Sequence, residues 1–368
     1  MNLVWNCSSG KHDTTGCYMA QKYFLRSINL SLSSACDANC IFCPENRGRR
    51  LKTKMMDPEI VENIVREVST NPNLRSVTHF ECGENGNAFL NPKVLECLRI
   101  IRRGLPRCTI SVFTNFRNLT KDKIIPILQE NLIDMIYCNI DGHNEYYYSI
   151  VKGVDLKRTK QNLLDFLQIR KTLHANVPLV IYAITYRKYV NTVKNNFGFI
   201  PHKLHGKELK DIKDDYALIK ATWRSLIDKE KDRIVPAHAV FCWAERPKID
   251  TASLAYNKYR CPNLERVKHE AFIAPDGTWY ACCLDENNEL VIGNLKKDSL
   301  VNLMKSPERR KLIWMLEERK FREIGGPCKT VNCCQQLHES KVLNIVLAYA
   351  QAHPRIFGIL RTVKSLIA

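Results

Sequence analysis

The sequence predicts an α/β fold, built as a full or partial barrel, with a smaller module after it. From residue 26 to about residue 185, strand-like segments alternate with helical patterns. Their spacing of about 30 to 45 residues is typical of right-handed βαβ units in a parallel sheet. A second part begins near Cys261, where two short alternating runs flank a turn. These patterns predict two modules in a chain of 368 residues.

Five segments of the first part are predicted strands because they are rich in β-branched and aromatic residues. They are residues 26–33, 75–80, 108–115, 134–141 and 178–185. Helices are predicted over residues 57–69, 91–104 and 156–173. In the first helix, Asp57 can cap the start and Pro58 suits the first turn. Its apolar stripe consists of Val61, Ile64, Val65 and Val68.

The sequence patterns after the fifth predicted strand determine where we place the boundaries between the parts of the chain. Residues 188–246 carry mixed charge, which predicts the last barrel elements together with a charged helical insertion or linker. Residues 271–283 predict a hairpin, because Pro275 fixes one dihedral angle and Gly277 accepts a positive φ. A helical stretch, residues 299–320, follows. We divide the chain into an N-terminal segment (1–19), the barrel (20–240), a C-terminal module (241–340) and a tail (341–368).

The composition predicts a globular protein, with 45% apolar and 26% charged residues. Sixteen cysteines accompany an N-terminus without a secretory signal, so we expect a reducing, cytoplasmic location. No run of about eighteen apolar residues occurs, so no membrane-spanning helix is expected. The net charge of +18 is spread along the chain without an aromatic-interleaved basic strip, so no nucleic-acid partner is expected.

The tail is basic and has apolar residues at helical spacing on both sides of Pro354. Two interpretations stay open. The tail can form an amphipathic helix that docks on the barrel, or it can make a peripheral membrane or partner contact.

Three cysteines, Cys36, Cys40 and Cys43, lie in one loop directly after the first predicted strand. Thiolates hold the irons of iron–sulfur clusters, and three of them can bind three corners of a 4Fe-4S cube. The fourth iron is then open to a small molecule. A structural zinc site needs four closed ligands, and no fourth Cys or His lies near this loop. The spacing therefore predicts a 4Fe-4S cluster with one open corner.

With Phe42 before the third cysteine, this loop resembles the signature of the radical S-adenosylmethionine (radical SAM) superfamily. Residues 82–92, 112–116 and 139–153 are similar to that family's glycine–glutamate, third-strand and S-x-D-G segments. The resemblance implies a partial (βα)6, TIM-like barrel that binds SAM. The implied SAM contacts are Phe42, Gly83, Glu84, Asn87, Asn115, Asn139 and Asp141.

This chain departs from the family pattern at three points. The glycine–glutamate pair aligns either as Gly83 with Glu84 or as Gly86 with Asn87. Phe116 stands where the family has glycine, and Asn139 stands where it has serine. The cysteines therefore carry the resemblance more strongly than the individual SAM contacts.

A second set of cysteines consists of Cys261, Cys282, Cys328, Cys333 and Cys334. This set resembles the cysteines of the auxiliary-cluster module called SPASM and of its shortened form, twitch. Because no cysteine follows Cys334, the resemblance implies one auxiliary 4Fe-4S cluster. Its implied ligands are Cys261, Cys282, Cys328 and either Cys333 or Cys334. Cys283 is an alternative to Cys282. A structural zinc or a group of core cysteines is the other interpretation of this set.

The resemblance implies that SAM is reductively cleaved to a 5′-deoxyadenosyl radical, which abstracts hydrogen from a small-molecule (alcohol- or sugar-like) or peptide substrate. The auxiliary cluster is the implied electron acceptor, and an external reductant of the flavodoxin or ferredoxin type is the implied electron donor. A maturase for ribosomal peptides or proteins is one alternative, and a non-enzymatic zinc or iron–sulfur binding module is another. No general base can be named from the sequence.

Overall fold

The computed structural model describes most of the barrel and much of the C-terminal module. The described residues are 24–40, 43, 53–83, 85–184, 203–204, 207–208, 216–237, 259–261, 263–283, 285, 289–329 and 335–336. The predicted N-terminal segment and tail lie outside the described residues, as do Phe42, Glu84, Cys333 and Cys334.

The strands follow the predicted order along the chain. They are β1 (Ser27–Leu30), β2 (His79–Cys82), β3 (Thr109–Thr114), β4 (Met135–Asn139), β5 (Leu179–Ile184), β6 (Lys203–Leu204), β7 (Lys207–Glu208), β8 (Arg233–Ala237), β9 (Tyr259–Arg260), β10 (Glu270–Ile273), β11 (Thr278–Tyr280), β12 (Val291–Asn294) and β13 (Gln335–Gln336). All five strands predicted for the first part are present. The second begins at His79, later than the predicted residue 75.

Among the described residues, nine strands form one sheet in the order β12-β11-β10-β1-β2-β3-β4-β5-β8. The neighbours from β1 through β5 to β8 all pair in parallel. This run of six parallel strands, with helices in the connections, is the partial (βα)6, TIM-like barrel that the sequence predicts.

The helices are α1 (Pro58–Thr70), α2 (Val94–Gly104), α3 (Lys121–Gln129), α4 (Glu145–Lys152), α5 (Leu156–Thr172), α6 (Tyr216–Arg224), α7 (Leu264–His269), α8 (Leu300–Met304), α9 (Pro307–Glu317), α10 (Phe321–Ile324) and α11 (Gly326–Lys329). Helix α1 begins as predicted, because the Asp57 side chain accepts a hydrogen bond from the backbone N–H of Glu59. Its predicted apolar stripe is buried. None of the helices in the described ranges is both long and apolar enough to cross a bilayer.

The predicted hairpin is present, but it is not a separate sheet. Strands β10 and β11 pair antiparallel around Gly277, whose φ is +85°. Strand β10 also pairs in parallel with β1, in a register that joins Ser27 to Glu270. The C-terminal module therefore extends the barrel sheet instead of packing beside it, and both parts share one continuous sheet face.

The two faces of this sheet differ in burial. The outer face carries fully buried apolar residues under the helices, among them Ile28, Phe80, Val112, Ile136 and Ile181. Strand alternation directs their neighbours to the opposite, inner face. That face carries half-buried His79, Glu81, Phe113, Tyr137 and Tyr182. The inner face is thus the more polar and more accessible side of the sheet.

Candidate functional site

The three-cysteine loop lies at the carboxyl end of β1, where parallel barrels place their active sites. Cys40 is buried, and Cys36 and Cys43 are half-buried. The backbone N–H of Cys43 donates to the carbonyl of Cys40 at 3.0 Å, which closes a turn between them. The loops that follow β2, β3 and β4 reach this same edge of the sheet. The structure therefore brings the predicted cluster ligands next to most of the predicted SAM contacts.

Asp37 holds this loop in place, a role that the sequence pattern does not indicate. Its carboxylate accepts hydrogen bonds from Asn87 Nδ2 at 3.2 Å, Asn115 Nδ2 at 3.0 Å and Arg117 Nε at 3.0 Å. Arg117 also donates to Asp155 at 2.9 Å. Burial alone raises the pKa of Asp37, but the bonds from Asn115 and Asn87 and the charge of Arg117 bring it below its ordinary value. The ionised carboxylate thus ties the cysteine loop to the ends of β2 and β3.

Two predicted SAM contacts, Asn87 and Asn115, belong to this network. Asn87 Nδ2 donates to Asn115 Oδ1 at 3.0 Å, and Thr114 donates to Asn87 Oδ1 at 3.4 Å. Asn115 Oδ1 also accepts from the backbone N–H of Arg117. Both asparagines are buried. Their amides brace the cysteine loop, whatever further contact they make with a bound ligand.

A buried ion pair lies against the same loop. Lys152 Nζ and Asp141 Oδ2 are 3.0 Å apart, and their side chains are 4% and 0% exposed. Burial by itself lowers the pKa of Lys152, but the charge of Asp141 and the proximity of Cys40 raise it well above its ordinary value. Burial raises the pKa of the Cys40 thiol, and the charge of Lys152 opposes that effect. The buried ammonium of Lys152 thus favours the thiolate form of Cys40, which is the form that binds iron.

Two glycines allow the neighbouring loops to approach the cysteines. Gly153 has a φ of +66°, and a Cβ there would lie 2.6 Å from the carbonyl oxygen of Asn39. Gly86 has a φ of +75°, and a Cβ there would collide with the carbonyl oxygens of Ser33 and Ala35. Both positions therefore need glycine for conformation and for space.

The second cysteine set converges on one recess in the C-terminal module. Cys261, Cys282 and Cys328 line it. The rest of its wall includes the apolar side chains of Val267, Leu290, Leu312 and Leu316. Cys283 does not line the recess. Its sulfur instead accepts from Arg266 Nη1 at 3.0 Å and from Asn263 Nδ2 at 3.5 Å.

Both thiol sets consist of cysteines, which are the usual protein ligands of iron–sulfur clusters. In the part of the chain that the structure describes, no group of three or more His, Cys, Asp or Glu side chains is arranged to hold one metal ion. A cubane has a different requirement, because each thiolate binds a different iron and the sulfurs stand further apart. The described cysteines outside the two sets, Cys82, Cys97, Cys108 and Cys138, are buried in the core, as predicted for inert thiols.

The inner face between the two sets carries side chains that the sequence analysis did not single out. Phe113 stacks on Tyr137 at 4.5 Å between ring centroids, and Tyr182 lies 5.7 Å from Tyr137. Glu81 is in register with Asn29 on β1, which donates to Glu270 at 3.0 Å. The alternation within β2 and β3 was the signal that could have found this aromatic and acidic surface.

Two family models match the chain. The radical SAM superfamily model covers residues 30–194, and the SPASM model, an iron–sulfur cluster-binding domain, covers residues 261–334. Among curated proteins, none matches the sequence significantly. The first model spans the cysteine loop and the second spans the recess.

Solved structures share the fold at low sequence identity. Native anSMEcpe with bound AdoMet is 15% identical, with 92% of this chain and 99% of that chain covered and a TM-score of 0.51. Streptococcus suis SuiB bound to precursor peptide SuiA is 13% identical, with 81% and 69% covered and a TM-score of 0.52. SuiB bound to S-adenosylmethionine is 15% identical, with 84% and 71% covered and a TM-score of 0.52.

The fold, the cysteine loop and the family models together define an enzyme of radical chemistry. The chain carries a radical SAM domain over residues 30–194 and a SPASM iron–sulfur cluster-binding domain over residues 261–334. The two domains imply three kinds of cofactor: a SAM-binding 4Fe-4S cluster, SAM itself and auxiliary iron–sulfur clusters.

Proposed function

We propose that this protein is a radical SAM oxidoreductase that removes hydrogen from a substrate held on the inner face of the sheet. One observation carries the proposal: β1, which leads into the cysteine loop, pairs with β10 of the C-terminal module, so both parts belong to one continuous sheet. The bound cofactors supply a 5′-deoxyadenosyl radical for hydrogen abstraction and an auxiliary 4Fe-4S centre as the electron acceptor. The polypeptide supplies positions for both and a polar surface between them.

At the first site, Cys36, Cys40 and Cys43 are the proposed iron ligands. Asp37 and the Lys152–Asp141 pair hold the loop from two sides, so its thiols keep one arrangement. The proposed SAM contacts remain Phe42, Gly83, Glu84 or Asn87, Asn115, Asn139 and Asp141. Asn139 is half-buried at the end of β4, on the side of Tyr137.

At the second site, the proposed ligands of one auxiliary cluster are Cys261, Cys282, Cys328 and either Cys333 or Cys334. Cys282 is preferred to Cys283 because Cys282 lines the recess and Cys283 does not. The apolar wall of the recess limits the access of water to the sulfurs. Solvent access is one of the factors that set the reduction potential of a cluster.

The substrate is proposed to be a small alcohol- or sugar-like molecule, because one auxiliary centre suffices for a two-electron oxidation. A peptide substrate is the second candidate, supported by the fold shared with SuiB, which is known in a complex with the precursor peptide SuiA. An external one-electron donor of the flavodoxin or ferredoxin type is part of the proposal. We also propose a cytoplasmic location. The tail is proposed either to dock on the barrel or to contact a membrane or a partner.

The test is anaerobic incubation of the reduced, cluster-loaded protein with SAM, followed by measurement of 5′-deoxyadenosine. We expect 5′-deoxyadenosine from the wild type and none above background from Cys40→Ala. Cys97→Ala is the control, because Cys97 is also buried but belongs to α2 and not to the cysteine loop. Normal cleavage by Cys40→Ala would contradict the ligand assignment, as would loss of cleavage in both variants alike.

A further inference from the structure

Arg266 on α7 links the recess to the inner face of the sheet. Its Nη1 donates to Cys283 Sγ at 3.0 Å, and its Nε donates to Glu270 Oε2 at 2.9 Å. Its Nη2 lies 3.9 Å from Glu81 Oε1. The guanidinium also stands over the ring of Phe272, 4.9 Å from its centroid. One side chain thus contacts the cysteine module and two carboxylates of the inner face.

The position of Cys283 makes this contact informative. Cys283 follows directly after Cys282, which lines the recess with Cys261 and Cys328. Asn263, another residue of the recess wall, donates to Cys283 at 3.5 Å and lies 3.9 Å from Cys282 Sγ. The guanidinium therefore lies one residue away from a proposed ligand, on the side of the recess that faces the barrel.

We propose that Arg266 is a positioning residue that raises the reduction potential of the auxiliary cluster. This inference rests on the proposed function. An arginine stays protonated in proteins, so its charge is fixed. A nearby positive charge favours the reduced, more negative form of a cluster, and cluster potentials respond to net charge and to hydrogen bonds around the sulfurs. Arg266 would thereby make the auxiliary centre easier to reduce by one electron.

The contacts require arginine and not merely a cation. The guanidinium has donors on three nitrogens in a fixed plane, so Nε can bind Glu270 while Nη1 binds Cys283. A lysine ammonium at the same position has one nitrogen and cannot reach both partners in this geometry. Lysine would keep the charge near Glu270 and lose the contact with the sulfur. Arg266→Lys is therefore expected to lie between wild type and Arg266→Gln.

The test uses the full chain with Cys36, Cys40 and Cys43 all replaced by Ala, so that only the second cysteine set can hold a cluster. The reduced fraction of that cluster is followed by electron paramagnetic resonance (EPR) during a potentiometric titration. In this background, Arg266→Gln is expected to lower the reduced-to-oxidised ratio at a fixed potential about tenfold, or ~59 mV for a one-electron couple. Arg75→Gln is the charge-matched control, because Arg75 is exposed before the amino end of β2; it is expected to change nothing.

The outcomes separate this inference from the proposed function. A background protein without iron overturns the auxiliary site itself and the role of Arg266 with it. A background protein that holds its cluster, with the same potential in Arg266→Gln as in Arg75→Gln, overturns the role of Arg266 alone. If Arg266→Gln loses the cluster, Arg266→Lys decides: a lowered potential supports the role, and a wild-type potential overturns it.

Discussion

At the scale of single residues, the first site depends on Asp37, which lies between Cys36 and Cys40 in the cysteine loop. Its carboxylate collects three side-chain donors from the ends of two other strands. A loop of three thiols has no regular hydrogen-bond ladder to fix its shape. The Asp37 network provides that constraint, and buried Asn87 and Asn115 provide its inner surface.

Replacing Asp37 by Ala is expected to weaken cluster binding at the first site. The substitution leaves the Asn115 amide and one guanidinium nitrogen of Arg117 without the Asp37 acceptor, at a cost of about 1–3 kcal/mol for each buried unsatisfied group. The Asn87 amide keeps its bond to Asn115. The measurement is iron bound after reconstitution in a background that lacks Cys261, Cys282 and Cys328. Asp122→Ala, on the exposed start of α3, is the control and should retain full iron. Equal iron in both variants would contradict the role of Asp37.

The sequence predicted the cysteines but not the residues that support them. The spacing of Cys36, Cys40 and Cys43 is a local pattern. It can be interpreted without reference to any other part of the chain. Asp37 meets Asn115 across 78 positions and Arg117 across 80, and nothing in the local pattern marks such pairs. Long-range hydrogen bonds depend on the register of strands, which a single sequence does not reveal.

At the scale of elements, predictions succeeded where a periodic signal was long and uninterrupted. Helix α1 and its stripe are an example. Helix α3 was missed because it spans nine residues and contains Pro126, which breaks the helical signal. The pairing of β10 with β1 was also missed, since its partners lie more than 240 positions apart in the chain, as Ser27 and Glu270 do.

The junction of α4 with the cysteine loop gives a test at this scale. Gly153→Ala places a side chain at positive φ, 2.6 Å from the Asn39 carbonyl, and should displace the loop. Gly277→Ala is the matched control: its φ is +85°, but its nearest neighbour would be 3.5 Å away. Both should lose on the order of 1–2 kcal/mol of unfolding free energy from backbone conformation. Only Gly153→Ala should also lose iron from the first site. The measurement is iron bound after reconstitution in the background that lacks Cys261, Cys282 and Cys328. Full iron in Gly153→Ala contradicts the close packing.

The end of the parallel sheet depends on a buried ion pair. Arg170 on α5 binds both oxygens of Asp232 at 2.7 Å, and Asp232 also accepts from the backbone N–H of Leu179. Asp232→Ala leaves the guanidinium buried without its counter-ion and should lower the free energy of unfolding by about 3–5 kcal/mol. Chemical denaturation measures this. Glu130→Ala, which breaks a surface pair with Arg99, should cost at most about 1 kcal/mol. Equal losses would show that the Arg170 pair contributes no more than an exposed one.

At the scale of the whole molecule, the C-terminal module completes the barrel sheet. Its hairpin pairs with β1, the strand that carries the cysteine loop. Arg266 then reaches from the module to Glu81 on β2. Through these contacts the strand before the cysteine loop and the C-terminal module belong to one sheet, and Arg266 joins the module to the inner face of that sheet.

The metal content of the whole chain tests this two-centre arrangement. About eight irons with matching sulfide are expected per chain after anaerobic reconstitution, and about four after replacement of Cys36, Cys40 and Cys43. Zinc without iron would make the protein a zinc-binding module. About four irons in the wild type, all lost in the triple variant, would leave the recess without a cluster.

The most direct test of the central claim is EPR of the reduced protein with and without SAM, in a variant that lacks Cys261, Cys282 and Cys328. We expect one cubane signal from the Cys36, Cys40 and Cys43 site, and we expect its g values to shift when SAM occupies the open iron. A cubane signal that SAM leaves unchanged, or no cubane at this site, would contradict it.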